Sequence, residues 1–442
     1  MLSPADNETL TRTGPGTGCG GLLRAYWQPV ALVEELDGPR QAKAVRLLGE
    51  DLVLWRKPDG GYGLIGRYCA HRGVDLAYGR LERGGVRCLY HGWLYDDAGH
   101  CLEQPAEPEN SRFHEKIRQP AYPCRAVNGI VFAYLGGGDP PPFPHFDAFI
   151  APEAHTFAFK GLWECNWLQG LEGGIDPSHV SYLHRFLQED PRDTYGQQFA
   201  EVVAGTGKPL SALVAEHPRP DIEVETAEHG LRVFAVRELG ADVRHVRVTN
   251  LVFPNAFAIP FGNDMTITQW HVPVDDENHY WYMIMCDFAK ETDKTTLRAQ
   301  RLASCTLPDY RPVRNRDNDW GFDPVEQDTL TYTGMGLDIN VHDQWAVESI
   351  GRIQDRSTEH LGVSDRAVTA YRRMLLRAVA GHAAGQPGPA RPADEAAAAR
   401  LRGPMAVDTV LDGPDWRERW PETDRRRRTT SAWTAETAGE SR

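Results

Sequence analysis

Cys69-Ala70-His71 and Cys88-Leu89-Tyr90-His91 stand sixteen residues apart in a stretch of short apolar runs, and their reading decides the fold of the first third of the chain. Two mixed Cys-His pairs can give two thiolates to one iron of a [2Fe–2S] centre and two imidazoles to the other. Soft thiolates hold ferric iron, and neutral imidazoles remove negative charge from the second iron and raise its potential. A structural zinc site uses the same four ligands, but as a cysteine pair followed by a histidine pair around a short helix. Here each half mixes the two residue types and the surroundings read as strands.

Outward from this pair, Tyr26 to about Leu135 consists of alternating or apolar runs such as Arg46–Trp55 and Val127–Leu135. Runs of this kind predict β-strands. Gly60-Gly61, Gly84-Gly85 and Asp96–Gly99 are read as hairpin turns. Each Cys-His pair then sits at a loop tip, with Gly73 and Gly92 allowing the backbone to approach the metal sulfides closely. Gly136–Pro142 is a breaker-rich linker. The expected division is therefore 1–138 for the cluster domain, 139–385 for a second domain and 386–442 for a flexible, Ala-, Arg- and Pro-rich tail.

In the second domain the runs Ile222–Thr226, Leu231–Glu238, Arg244–Ile259, Met265–Val274 and Tyr280–Asp287 predict an antiparallel sheet. Helices are predicted around Asn166–Gln188 and over Trp345–Gln354 and Ser364–Ala380. His179 and His184 lie five apart, close to Asp176 and Pro177. Two histidines and one carboxylate on one face of a metal leave the opposite face open for O₂ and substrate, as in non-haem Fe(II) oxygenases. Asp176 reads as an N-cap and Pro177 as a first helical residue. In a regular helix, residues five apart diverge by about 140°, so sharing one iron requires a bend or a π-bulge between them. Ordinary surface histidines are the competing reading. Asp338, Asp343, Glu348 and Asp355 are all available as the carboxylate.

Lys plus Arg number 48 against 62 Asp plus Glu, a formal charge of −14 that disfavours a polyanionic partner such as nucleic acid. Met1–Thr13 is polar and no run approaches about 18 apolar residues, so the chain reads as cytoplasmic, without signal peptide or membrane span. Eight scattered cysteines in such a chain are expected to be reduced. No Gly-x-Gly-x-x-Gly fingerprint follows a strand, so electrons from NAD(P)H require a second protein.

Cys69-Ala70-His71-Arg72-Gly73 and Cys88-Leu89-Tyr90-His91-Gly92-Trp93 resemble the Rieske motif. Val74 and Tyr90 occupy the places where respiratory-complex members carry a further cysteine pair, which points to the ferredoxin and oxygenase branch. Asn166–His184 resembles the catalytic helix of Rieske oxygenase large subunits, in which an Asp precedes the first histidine ligand by three residues, as Asp176 does. Asn340–Gly351 resembles the family segment in which an Asp ligand precedes a Glu on one helix, and this favours Asp343. Asp355–Gly362 and Leu10–Trp27 resemble the phthalate dioxygenase branch, which acts on aromatic acids and ethers.

The resemblance implies an α+β fold: an all-β Rieske [2Fe–2S] domain holding its cluster through Cys69, His71, Cys88 and His91, and a catalytic domain whose antiparallel sheet is covered by helices. It implies mononuclear Fe(II) on His179, His184 and Asp343. The function implied is that of a terminal oxygenase that hydroxylates or O-dealkylates a small aromatic substrate, with electrons from a separate NAD(P)H-dependent reductase. A homotrimer or a hexamer of two trimers is implied, with Asp176 bridging His179 to His91 of the partner subunit. A simple helix-capping role for Asp176 competes with that bridge, since one carboxylate does not readily serve both. The alternative function is a Rieske electron carrier with no catalytic iron, which leaves His179, His184 and Asp343 without purpose. An aromatic carboxylate would need a buried cationic partner; Arg192, Arg244 and Arg247 are available, and the sequence places none of them.

Overall fold

Most of the alternating apolar runs become strands. In a computed structural model of the chain, residues 1–188, 202–203, 205–431 and 433–434 are described. The first domain contains three small antiparallel sheets. One pairs Trp27–Leu32, Ile130–Tyr134 and Cys124–Val127; a second pairs Ala42–Leu47, Glu50–Arg56 and Tyr62–Gly66. The third joins Arg80–Glu82, Gly85–Arg87, Leu94–Tyr95 and Cys101–Glu103. The Gly60-Gly61, Gly84-Gly85 and Asp96–Gly99 segments connect strands, as the turn chemistry requires.

The second domain is built on a single antiparallel sheet. Its spatial order is Thr156–Trp163, His279–Asp287, Met265–Pro273, Ala256–Pro260, Val243–Val252, Gly230–Gly240 and Asp221–Ala227. The run Arg244–Ile259, read as one strand, is two strands joined by a tight turn. On one face lie the helix Trp167–Ile175 and, beside it, the helices Ile339–Ser349 and Arg366–Ala383. The helix expected at Trp345–Gln354 starts earlier, because Asp338 caps it through Asn340 N–H.

The division at the Gly136–Pro142 linker is a packed joint. Trp27 Nε1 donates to the Pro141 carbonyl at 2.7 Å, and Phe143 stacks on Trp27. One apolar core runs from Leu22, Leu32 and Phe132 into Phe157, Trp163 and Ile284.

The expectation of a flexible tail over 386–442 is corrected. Val407–Asp412 adds a strand to the sheet by pairing with Val243–Val248, and the helix Trp416–Thr430 covers the sheet's other face through Trp416 and Trp420. Trp433 stacks on Phe288 and donates to the Asp287 carbonyl. The segment reads as tail because its charged residues dominate the average, while a few apolar residues, Val407, Leu411, Trp416, Trp420 and Trp433, carry much of the burial. Residues 435–442 lie outside the described residues.

Candidate metal centres

The two cluster loops are repeats of one backbone design. Cys69 N–H bonds the Val74 carbonyl and Cys88 N–H bonds the Trp93 carbonyl, each five residues on; Gly73 and Gly92 N–H return to the Cys69 and Cys88 carbonyls. Both glycines have φ of +74°, which L side chains rarely adopt. A Cβ on Gly73 would meet no other protein atom, so among the protein contacts it is φ alone that calls for glycine here.

Cys69 and Cys88 are buried, whereas His71 is exposed and its ring meets that of His91 at 4.4 Å between centroids. Trp93 stacks flat on His71, and the Tyr95 hydroxyl lies 3.2 Å from Cys69 Sγ. Burial raises the Cys69 thiol above its ordinary value, with the neighbouring Cys88 adding to it against Tyr95 and the backbone. Two adjacent buried sulfurs are costly to ionise without a cation, and two imidazoles face them, so the donor set fits a Rieske cluster.

The second centre depends on a broken helix. Trp167–Ile175 begins at Asn166, whose side-chain oxygen accepts Leu168 N–H, and ends at Asp176. Asp176 is thus a C-terminal residue of one helix and not, as expected, the start of another. Pro177 cannot continue the helix, and only a single 3₁₀ turn, His179–Ser181, follows. The required distortion is therefore an interruption of the helix, neither a bend nor a π-bulge.

This interruption brings His179 and His184 to 5.1 Å between ring centroids, nearly perpendicular. Asp343 Oδ1 lies 3.2 Å from His184 Nε2 and 3.7 Å from His179 Nε2, and the three ligand atoms lie within 4.8 Å of one another. Burial would raise the Asp343 carboxyl, but the two histidines outweigh it and hold it below its usual range. His342 Nε2 bonds the Gly336 carbonyl at 2.7 Å, and so acts as donor there. Its Nδ1 is then an acceptor for His184 Nδ1–H at 3.4 Å, which turns the His184 Nε2 lone pair toward Asp343. Both imidazoles offer Nε2 beside one carboxylate, which suits a divalent iron with open positions.

The other candidate carboxylates are engaged elsewhere. Asp338 caps its helix and pairs with Arg301; Glu348 accepts from Glu164 N–H and Trp320 Nε1, both at 2.8 Å; Asp355 caps a turn at Ser357. Asp176 divides its two oxygens. Oδ1 accepts Ser178 N–H at 2.8 Å, while Oδ2 lies 3.6 Å from His179 Nδ1.

The helix before the break is clamped. Glu172 accepts from Arg356 and Arg372, and Gln169 donates to the carbonyls of Val347 and Gly351 at the end of the helix carrying Asp343. A Cβ on Gly174 would overlap the Phe257 ring, so glycine lets this helix lie directly on the sheet. Of the arginines considered for an anion, Arg192 lies outside the described residues and Arg244 donates to the Gly413 carbonyl at 2.8 Å. Arg247 is buried against Asp408. His342 and Arg237, which matter to the site, escape a motif-based reading; Arg237 stands at an inward position of the predicted strand Leu231–Glu238, and that alternation was the available signal.

A Rieske fold, a paired Cys-His cradle and a second centre of two histidines and a carboxylate together define the class of Rieske non-haem iron oxygenases. Residues 26–123 match the Rieske [2Fe-2S] domain model, and residues 133–436 match the model described as LigXa C-terminal domain like. The chain is 35% identical over 398 residues to the phthalate 4,5-dioxygenase oxygenase subunit of Pseudomonas putida, covering 87% of this chain and 88% of that one. It is 34% identical to the tert-butanol monooxygenase / tert-amyl alcohol desaturase oxygenase subunit of Aquincola tertiaricarbonis, over 87% and 79% of the two chains. With the 5,5'-dehydrodivanillate O-demethylase oxygenase subunit of a Sphingobium strain it shares 31% identity, over 85% and 80%.

The fold matches the oxygenase–ferredoxin complex of carbazole 1,9a-dioxygenase with a TM-score of 0.57 at 22% identity, over 87% of this chain and 98% of that one. The chain belongs to the Rieske non-haem iron oxygenases, as an oxygenase subunit of the phthalate dioxygenase-like branch. No helix among the described residues is long and apolar enough to cross a membrane.

Proposed function

We propose that this oxygenase oxidises a small aromatic substrate bearing a carboxylate or ether group. Its iron is held by His179, His184 and Asp343 and its cluster by Cys69, His71, Cys88 and His91. When bound, these groups supply reductive activation of O₂ and storage of one electron. The reading rests on one observation: two imidazole Nε2 atoms and one carboxylate meet at a helix break, within 4.8 Å of one another. Around them the chain's own residues hold geometry. His342 fixes the tautomer of His184, Asp176 faces the Nδ1 edge of His179, and Glu172 anchors the helix that ends at the site. Relatives named for phthalate and 5,5'-dehydrodivanillate support an aromatic acid or ether.

Electrons arrive from a separate NAD(P)H-dependent reductase in the cytoplasm, where the eight unpaired cysteines are stable. The chain works in a ring of three, alone or as two stacked trimers. Two exposed aromatic patches support head-to-tail closure. Tyr68, Leu89 and Tyr90 surround the cluster histidines, while Tyr182, Leu187 and Tyr332 surround the iron turn. In that ring Asp176 receives His91 of the partner subunit, giving the electron a short path.

A single-turnover assay tests the reading: the enzyme is reduced without oxygen, aromatic acids and ethers are added, O₂ is admitted and the products are weighed. Gain of oxygen or loss of an alkyl group by one compound is the expected result. No product from any compound, with iron and cluster fully present, would overturn the aromatic assignment.

A further inference from the structure

The two iron histidines are held from different sides. On the His179 side, Arg237 Nε donates to the His217 carbonyl at 2.9 Å and its Nη2 reaches the Pro177 carbonyl at 3.3 Å, which ties the iron turn to the sheet. His184 follows that turn and takes its hold from a separate lobe, residues 322–336, that precedes the helix carrying Asp343.

Backbone pairing brings this lobe to the chain just past His184. Tyr332 N–H donates to the Arg185 carbonyl at 2.9 Å and Leu187 N–H to the Leu330 carbonyl at 2.8 Å, on either side of a bridge between Phe186 and Thr331. Thr331 is fully buried. The lobe then turns through Gly336, at φ of +79°, and presents the Gly336 carbonyl to His342 Nε2 at 2.7 Å.

One side-chain atom joins these two features. Glu326, half-buried on the short helix Pro324–Thr329, accepts both the Thr331 hydroxyl, at 2.8 Å, and the Gly336 N–H through Oε1. Glycine turns freely about its backbone bonds, so the direction of the Gly336 carbonyl depends on what holds its N–H. A carboxylate makes that hold stronger than a neutral acceptor would. From Glu326 an unbroken path therefore runs through Gly336 to His342, whose Nδ1 accepts from His184 Nδ1 at 3.4 Å.

We propose that Glu326 is a positioning residue for the iron: by anchoring Gly336 it fixes His342, and through His342 the ring of His184. The inference rests on His184 being an iron ligand. Glu326 acts only through its neighbours, and its bond to Thr331 ties the same oxygen to the backbone that follows His184.

The test measures iron retention against a chelator in the full-length enzyme, with cluster absorbance as the check on folding. Glu326→Leu is expected to weaken retention about 10-fold, within the range for groups that orient metal ligands. Glu326→Gln keeps an acceptor oxygen for Gly336 N–H and is expected within about twofold of wild type. The decisive arm repeats Glu326→Leu in a His342→Leu background. Groups in one chain of bonds are not additive, so the double variant should retain iron as well as His342→Leu alone. Equal loss in both backgrounds would overturn the proposal, since a carboxylate that only supports the fold behaves so. Wild-type retention by Glu326→Leu would overturn it as well. Should Glu326→Leu not fold, Glu326→Ser, polar and too short to reach Gly336, is held to the same criteria. His184→Ala separates the two readings: iron kept by that variant removes the metal centre itself, whereas iron lost there but kept by Glu326→Leu removes only the positioning role.

Discussion

Replacing Glu172 with Gln removes the one anion shared by Arg356 and Arg372. In the folded chain Glu172 Oε2 accepts from Arg356 Nε and Nη2 at 3.1 and 3.0 Å, and Oε1 accepts from Arg372 Nε at 2.6 Å. The side chains are 8%, 0% and 5% exposed, so solvent does not screen the pair. After the substitution Arg372 keeps Glu359, whereas Arg356 is left with neutral acceptors alone, among them the side-chain oxygen of Asn7 at 3.2 Å. Breaking a buried pair from one side costs about 3–5 kcal/mol. At about 2 °C per kcal/mol for a large chain, Tm falls by about 6–10 °C.

The pH dependence carries a sign. Burial would raise the Glu172 carboxyl, but both arginines outweigh it and the folded value is depressed below 4.5. Its contribution is therefore complete above pH 4.5 and lost as pH falls through the folded value. Calorimetry of both proteins should show the full gap at pH 7 and a narrowing gap below pH 4.5. A Tm within about 2 °C of wild type at pH 7, or a gap unchanged by acid, refutes the reasoning.

Tyr95→Phe deletes a hydrogen bond to Cys69 Sγ, and a differential of about 1 kcal/mol lowers the one-electron potential of the cluster by about 40 mV in a redox titration. His342→Leu frees His184 Nδ1 and should weaken iron retention about 10- to 100-fold against a chelator, with cluster absorbance unchanged. Asp176→Asn keeps both metals, measured as iron and sulfide content, and loses nearly all turnover. Trp420→Ala removes a buried ring packed on Phe234 and lowers stability by about 3–5 kcal/mol in a denaturant titration, an effect that a loose tail would not show.

The cluster site was legible because its chemistry is local. Each loop closes its own hydrogen bonds within five residues, so ligand types and glycines lie side by side in the sequence. The second domain was legible as strands, since alternation survives where one face is apolar. The helix break at Asp176-Pro177 was misread in direction: Asp before Pro also opens helices, and only the buried residues from Trp167 to Ile175 show that a helix has already run its length. The C-terminal segment failed for a different reason, because composition averages over residues whereas burial depends on a few of them, Val407, Leu411, Trp416, Trp420 and Trp433 among them.

What alternation can never supply is charge accounting between distant strands. Within the strand Gly230–Gly240, Arg237 is identifiable as inward-facing, but the sequence around it does not say whether a carboxylate meets it. Arg247, ten residues on, looks equivalent and is one of the three arginines the sequence offers for an anion. The two are separated by Asp408, which arrives more than 160 residues later on a strand read as tail and neutralises one of them. The same strand that closes the sheet therefore decides which arginine carries the ion pair. A position paired with an anion and a position without one have identical sequence signatures, and only the fold distinguishes them.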